Sequence, residues 1–238
     1  MNLILVHVIC VEALNSTQWR DKVFVYAYIL MLLLTVLMCI NLFIDSFKCP
    51  VKIRRILRGL VFLIMLRYVT LLIMCLKKSI TYIYFMRPIV LLDILYIPLV
   101  ILIMIFVFTR SAKFNFVYAA ISGIIFFSLY IFLNFKILKT ANPFYSYSFG
   151  YLIDLKSYSV VVAVVKVMVL ILMLMLCGYF LRKSNIRRAG FCFLMIVILV
   201  MLVENISIII MPKVMPEYLF GEVLLLICLN YMVRLFKK

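Results

Sequence analysis

Histidine, glycine and acidic residues are scarce in this chain, and their scarcity excludes several kinds of chemistry. The only histidine is His7, so a zinc site, a Ser-His relay and a Cys-His nucleophile each lack the imidazole they need. Six glycines form no phosphate-binding loop. Asp93 is the one aspartate within an apolar segment, which excludes an aspartyl dyad. We therefore predict that the chain is not an enzyme, with no catalytic residues and no cofactor.

The cysteines likewise give no indication of a metal site. Seven cysteines are an odd number without metal-ligand spacing. We interpret them as small apolar side chains and predict no metal site.

Apolar residues, by contrast, are abundant. They make up 69% of the chain, against roughly 45–50% in soluble domains. The mean hydropathy is +1.28. Because no soluble fold buries that much apolar surface, the sequence predicts a multi-pass protein of the cell membrane whose main partner is the lipid bilayer.

About seven segments reach the roughly 20 apolar residues that cross a bilayer, and in lipid such segments must be helices. We predict an all-α, polytopic transmembrane bundle in residues 23–238, preceded by a short surface segment in residues 1–22. The predicted spans are Val23–Ile44, Ile56–Leu76, Ile89–Phe108, Phe116–Phe135, Ser159–Leu181, Gly190–Met211 and Tyr218–Phe236.

Positive charge sets the predicted orientation. The net charge is +17, but most Lys and Arg residues lie in short clusters between apolar segments, so we predict no nucleic-acid partner. More Lys and Arg residues follow the first, third, fifth and seventh spans than lie on the opposite side of the membrane. This bias predicts an N-terminus outside and a C-terminus inside.

Two further features concern local structure. The stretch 136–158 is a long connection with four tyrosines, which indicates an interfacial belt or, alternatively, a lid over a ligand. Pro98 lies inside the third span and predicts a kink there.

Five ionisable residues lie within the predicted spans, where charge is costly and is by default a functional hypothesis. They are Arg67, Asp93, Lys166, Glu204 and Glu222. A rise of about 1.5 Å per residue places Lys166 and Glu204 at matching depths, and places all five in the outer half or near the centre. That distribution favours an outward-facing polar cavity that binds a ligand. Alternatively, Lys166 pairs with Glu204 to hold helices together, while Asp93 and Glu222 extend to the headgroups.

Several short patterns resemble the seven-helix membrane sensor domain at the N-terminus of bacterial histidine kinases, over the chain from about residue 23 onward. They are Ile94-Leu95-Tyr96-Ile97-Pro98-Leu99 running to Phe108-Thr109-Arg110, then Glu204-Asn205, then Pro216 and Phe220-Gly221-Glu222.

The resemblance implies a receptor-like bundle that passes a helix movement to a cytoplasmic output. Because the chain ends at Lys238, we expect that output to be a separate partner or to be missing. Two other functions stay open. One is a membrane subunit of a transporter or exporter, with an ATPase partner. The other is a non-catalytic assembly partner, for which an oligomer is possible.

Overall fold

The computed structural model describes residues 25–76, 80–109, 116–137, 142–146, 150–154, 158–181, 188–210 and 219–236. The predicted surface segment 1–22 lies outside these residues, as do Arg110 and Pro216 of the sensor-like patterns. The helices are α1 (Val25–Lys48, ending in a 3-10 turn), α2 (Val51–Leu76), α3 (Ile80–Val90), α4 (Asp93–Thr109), α5 (Phe116–Ile137), α6 (Tyr158–Leu181), α7 (Arg188–Ile210) and α8 (Phe220–Arg234).

Within the described residues, five helical segments are long and apolar enough to cross a membrane. They are Val25–Lys48, Val51–Leu76, Phe85–Thr109, Val160–Leu181 and Arg188–Ile210. Their outward faces carry large apolar side chains such as Leu30, Met168 and Ile210, all more than half exposed, which suits contact with lipid. This architecture is that of a helical membrane protein, as the composition predicts. The count of seven spans and their orientation remain predictions.

Helix α4 is the centre of the bundle. Its side chains are buried almost all round, as expected for a helix with no polar face. The predicted third span, Ile89–Phe108, is interrupted: α3 ends at Val90, Leu91 and Leu92 form a turn, and α4 begins at Asp93. The interruption therefore precedes Pro98, which lies inside α4.

A short β-hairpin is the only β-structure in the described residues. Strand β1 (Asn142–Ser146) pairs antiparallel with β2 (Gly150–Asp154), with Tyr145 opposite Tyr151. The hairpin lies within the predicted long connection 136–158. It follows α5 and precedes α6, and it lies beside α2 and α3. It therefore marks one end of the bundle.

Aromatic side chains pack between α4, α7 and α8 at the opposite end of the bundle. The Phe108 ring lies 5.9 Å from that of Phe191 and 6.4 Å from that of Tyr231, measured between centroids. Gly190 permits this approach, since a Cβ there would lie 2.8 Å from the Phe108 ring. Helices α4, α7 and α8 therefore pack tightly at the end away from the hairpin.

Candidate functional site

Arg67 of α2 is the centre of a buried polar network and is only 1% exposed. Its Nη1 donates to Oε2 and Oε1 of Glu222, at 2.6 and 2.9 Å, and to the Tyr96 hydroxyl at 2.9 Å. Its Nη2 lies 3.3 Å from Oδ2 of Asp93. Its Nε donates to the Val90 carbonyl oxygen at 2.9 Å. One guanidinium therefore links α2 to α3, α4 and α8.

The contact with Val90 follows from the break between α3 and α4. In a continuous helix the Val90 carbonyl would accept from the amide of Ile94, but that amide bonds Leu91 and the Asp93 side chain instead. A buried carbonyl without a donor is costly in lipid, and Arg67 supplies the donor. The arginine thus both neutralises carboxylates and stabilises the interrupted helix.

Glu222, in the first turn of α8, is held by more than Arg67. Its Oε2 also accepts hydrogen bonds from the hydroxyls of Tyr68 and Tyr96, the latter at 2.7 Å. Sequence reasoning missed both tyrosines, because tyrosine is common in apolar segments. A usable signal exists, however: Tyr68 follows Arg67 directly, and Tyr96 lies three residues after Asp93, on the same helix face.

Asp93 is shared between two cations. Its Oδ1 accepts from the Ile94 amide at 2.9 Å, while its Oδ2 faces both Arg67 and the Lys166 ammonium of α6. The predicted pair of Lys166 with Glu204 is therefore wrong, since depth alone did not reveal that α6 presents Lys166 to α4. The alternative that Asp93 and Glu222 extend to the headgroups is also wrong, because both are buried and bonded to Arg67.

Glu204 lies at the same end of the bundle but bonds backbone. Both of its carboxylate oxygens accept from the Gly221 amide, at 2.9 and 3.0 Å. A carboxylate at the start of α8 suits the positive end of the helix dipole. A Cβ at position 221 would lie 2.5 Å from Glu204 Oε2, so glycine permits this contact. Glu204 thus attaches α7 to the start of α8, next to Glu222.

The network is balanced in charge. Arg67 and Lys166 carry two positive charges, and Asp93 and Glu222 carry two negative ones. Burial of ions in an apolar interior is offset only when charges pair and the remaining hydrogen-bonding groups are satisfied, as they are here. Lys166 differs from the others because its side chain is 21% exposed, whereas those of Arg67 and Asp93 are 1% and 2% exposed. Lys166 therefore lies at the edge of the network.

The five predicted site residues therefore lie at one end of the bundle, and four of them form one ionic network. Across the described ranges, no group of three or more His, Cys, Asp or Glu residues could hold a metal ion. No model of a known protein family and no curated protein sequence matches the chain. The chemistry of the ionic network, within a helical membrane bundle, thus carries the functional proposal.

Proposed function

We propose that the chain is a sensor or receptor-like module of the cell membrane, in which the contact between Lys166 and Asp93 is the switch. The observation that carries the proposal is the sharing of one carboxylate by two cations. A ligand that binds one helix arrangement better than another changes the populations of the two, which is the basis of signalling. A cytoplasmic partner would read the change.

The shared carboxylate makes two arrangements accessible at modest cost. If an anionic group of a ligand takes Lys166, Asp93 keeps the neighbouring charge of Arg67 and is not left as an isolated buried ion. Lys166 is the partly exposed member of the network, so an approaching ligand meets it before Arg67 or Asp93. The ligand class that fits is therefore an anion arriving at the hairpin end of the bundle, which the predicted orientation places outside.

The helix that would move is α4. It begins at Asp93 after the Leu91–Leu92 turn, and Pro98 lies inside it without an amide to complete the helical hydrogen bonds. Turns and prolines are common hinge sites in domain and helix movements. Release of Lys166 from Asp93 would free the start of α4 from α6, next to this turn. The contact of Arg67 with Asp93 would still attach α4 to α2.

A membrane subunit of a transporter or exporter is the second candidate. The specific observation in its favour is the interrupted helix, because transporters often place charged groups beside a broken span. Against it, the Phe108, Phe191 and Tyr231 rings pack together between α4, α7 and α8 at the opposite end, where a path would need an exit. The third candidate, a non-catalytic assembly partner, is favoured by the full pairing of the network.

Affinity purification in a gentle detergent from native membranes, followed by mass spectrometry, tests these functions. The wild type is compared with Lys166→Gln and with the control Lys136→Gln, an exposed lysine of α5 outside the network. The sensor proposal expects a cytoplasmic kinase or regulator whose recovery changes in Lys166→Gln and not in the control. An ATP-hydrolysing subunit would favour transport instead. Recovery of the same partners, or of none, in all three samples would contradict the sensor proposal.

A further inference from the structure

Positive charge is concentrated where α1 turns into α2, at the end of the bundle away from the hairpin. We name this surface the basic corner and define it by Lys48, Lys52, Arg54, Arg55 and Arg58. The nearby carboxylate of Asp45 pairs with Lys48. The first turn of α2 contains no acidic residue. Cations at the start of a helix oppose its dipole, and the sequence from residue 43 to residue 58 sets these five cations beside the single carboxylate of Asp45.

Arg58 of the corner is held by a hydrogen bond and by two aromatic rings. Its Nε donates to the Ser46 hydroxyl at 3.1 Å, and its guanidinium carbon lies 3.7 Å from the centre of the Phe47 ring. A second ring, Phe43, lies 5.5 Å away. Its Nη2 is covered and finds no hydrogen-bond partner among the described residues. The side chain is thus held in place with one donor unused.

Exposed apolar side chains adjoin the cations. Phe43, Ile44, Phe47 and Val51 are between 42% and 58% exposed, although they lie in or next to the turn. Apolar side chains beside arginine and lysine are typical of a surface at the boundary between hydrocarbon and water. A soluble acidic protein or a nucleic acid would leave these side chains in water, whereas a lipid would cover them.

We propose that the basic corner binds the headgroup phosphate of an anionic phospholipid, with Arg58 as its principal donor and Arg54 and Arg55 beside it. A guanidinium held beside an aromatic ring offers donors in fixed directions to a phosphate, which a flexible lysine ammonium does not. The acyl chains would lie against Phe43 and Ile44. The proposal does not depend on the sensor function, because this surface is at the other end of the bundle.

Native mass spectrometry of the detergent-purified protein tests the proposal. The wild type is mixed with dioleoylphosphatidylglycerol or with dioleoylphosphatidylcholine, and the retained lipids are counted. We expect wild type to retain the anionic lipid preferentially and Arg55→Gln, which removes one positive charge near an anionic surface, to reduce that preference about fivefold. Arg58→Lys keeps the charge but loses the planar guanidinium, so it should reduce the preference by a smaller factor. Arg234→Lys is the matched control, being the same substitution at an exposed arginine at the same end of the bundle.

Two further measurements keep the test decisive. Arg55→Gln replaces an exposed residue, so it should weaken retention without disturbing packing even if Arg58→Lys fails to fold. Inorganic phosphate at millimolar concentration should leave the lipid bound. Equal retention of both lipids by the wild type, or equal effects of Arg58→Lys and Arg234→Lys, would overturn the proposal. Displacement of the lipid by phosphate would overturn the assignment to a phospholipid.

Discussion

Replacement of Arg67 by methionine removes the cation that holds both buried carboxylates. Methionine fills a similar volume, so the main loss is ionic. Asp93 would keep Lys166, and Glu222 would keep its bonds from Tyr68 and Tyr96. The Val90 carbonyl would lose its donor. The variant therefore leaves one buried carboxylate without a cation and one partly buried carbonyl without this donor.

These losses give an expected magnitude. Removal of one partner of a buried ion pair costs about 3–5 kcal/mol. An unpaired buried carbonyl adds about 1–3 kcal/mol, and the two tyrosine hydroxyls offset about 1 kcal/mol each. We therefore expect Arg67→Met to lower the free energy of unfolding by about 2–6 kcal/mol, a span centred on the cost of a broken buried pair.

The cysteines provide the assay. Cys39, Cys177 and Cys228 are free thiols and are fully buried, so unfolding exposes them to a thiol-reactive fluorescent dye. A thermal ramp in detergent then gives the midpoint of unfolding for each variant. Cys192 is exposed and sets the background that is present before unfolding.

Two double variants test the physical reason for the loss of stability and not only its magnitude. In Arg67→Met with Glu222→Gln, the unpaired negative charge is gone, and Asp93 and Lys166 still balance each other. This variant should recover a large part of the lost stability. Arg67→Met with Glu204→Gln should not recover it, because Glu204 bonds the Gly221 amide and not Arg67. If Arg67→Met is as stable as the wild type, or if the two double variants behave alike, the reasoning is refuted.

The remaining predictions concern the edges of the network. Lys166→Gln should lower the same unfolding midpoint. Adding Asp93→Asn should restore more of the midpoint than adding Glu204→Gln does, because Lys166 pairs with Asp93. Equal restoration by the two double variants would contradict that pairing. Gly221→Ala should cost about 1–3 kcal/mol by overpacking against Glu204, whereas Gly178→Ala, with no atom within 4 Å of the added Cβ, should be neutral or slightly stabilising. A neutral Gly221→Ala in the thiol assay would refute the close contact.

The sequence predicted the membrane bundle and the charged members of the network for related reasons. Charged residues are so costly within apolar segments that Arg67, Asp93 and Lys166 stand out without any structure. The partners could not be predicted, because the rise per residue gives depth along a helix but not which helices are neighbours. The contact of Lys166 with Asp93 depends on α6 packing against α4, and a depth match wrongly favoured Glu204.

Other features depend on tertiary structure and left little trace in the sequence. The turn at Leu91–Leu92 contains neither glycine nor proline, and Arg67 stabilises it from a different helix. The kink predicted at Pro98 stays a prediction, and the break between α3 and α4 lies before Asp93. The hairpin β1–β2 was predicted only as a long connection, since its pairing depends on backbone contacts beside α2 and α3.

The distance along the chain between Arg67 and Glu222 has a consequence for biogenesis. The two residues are separated by 155 positions, so Glu222 reaches the membrane only after α2, α4 and α6 have been synthesised. Until then Arg67 and Lys166 share the single carboxylate of Asp93, and the ionic network holds one surplus positive charge. Ribosome-bound intermediates that lack α8 should therefore be preferred targets of membrane quality control, and emergence of the last helix would end that vulnerability.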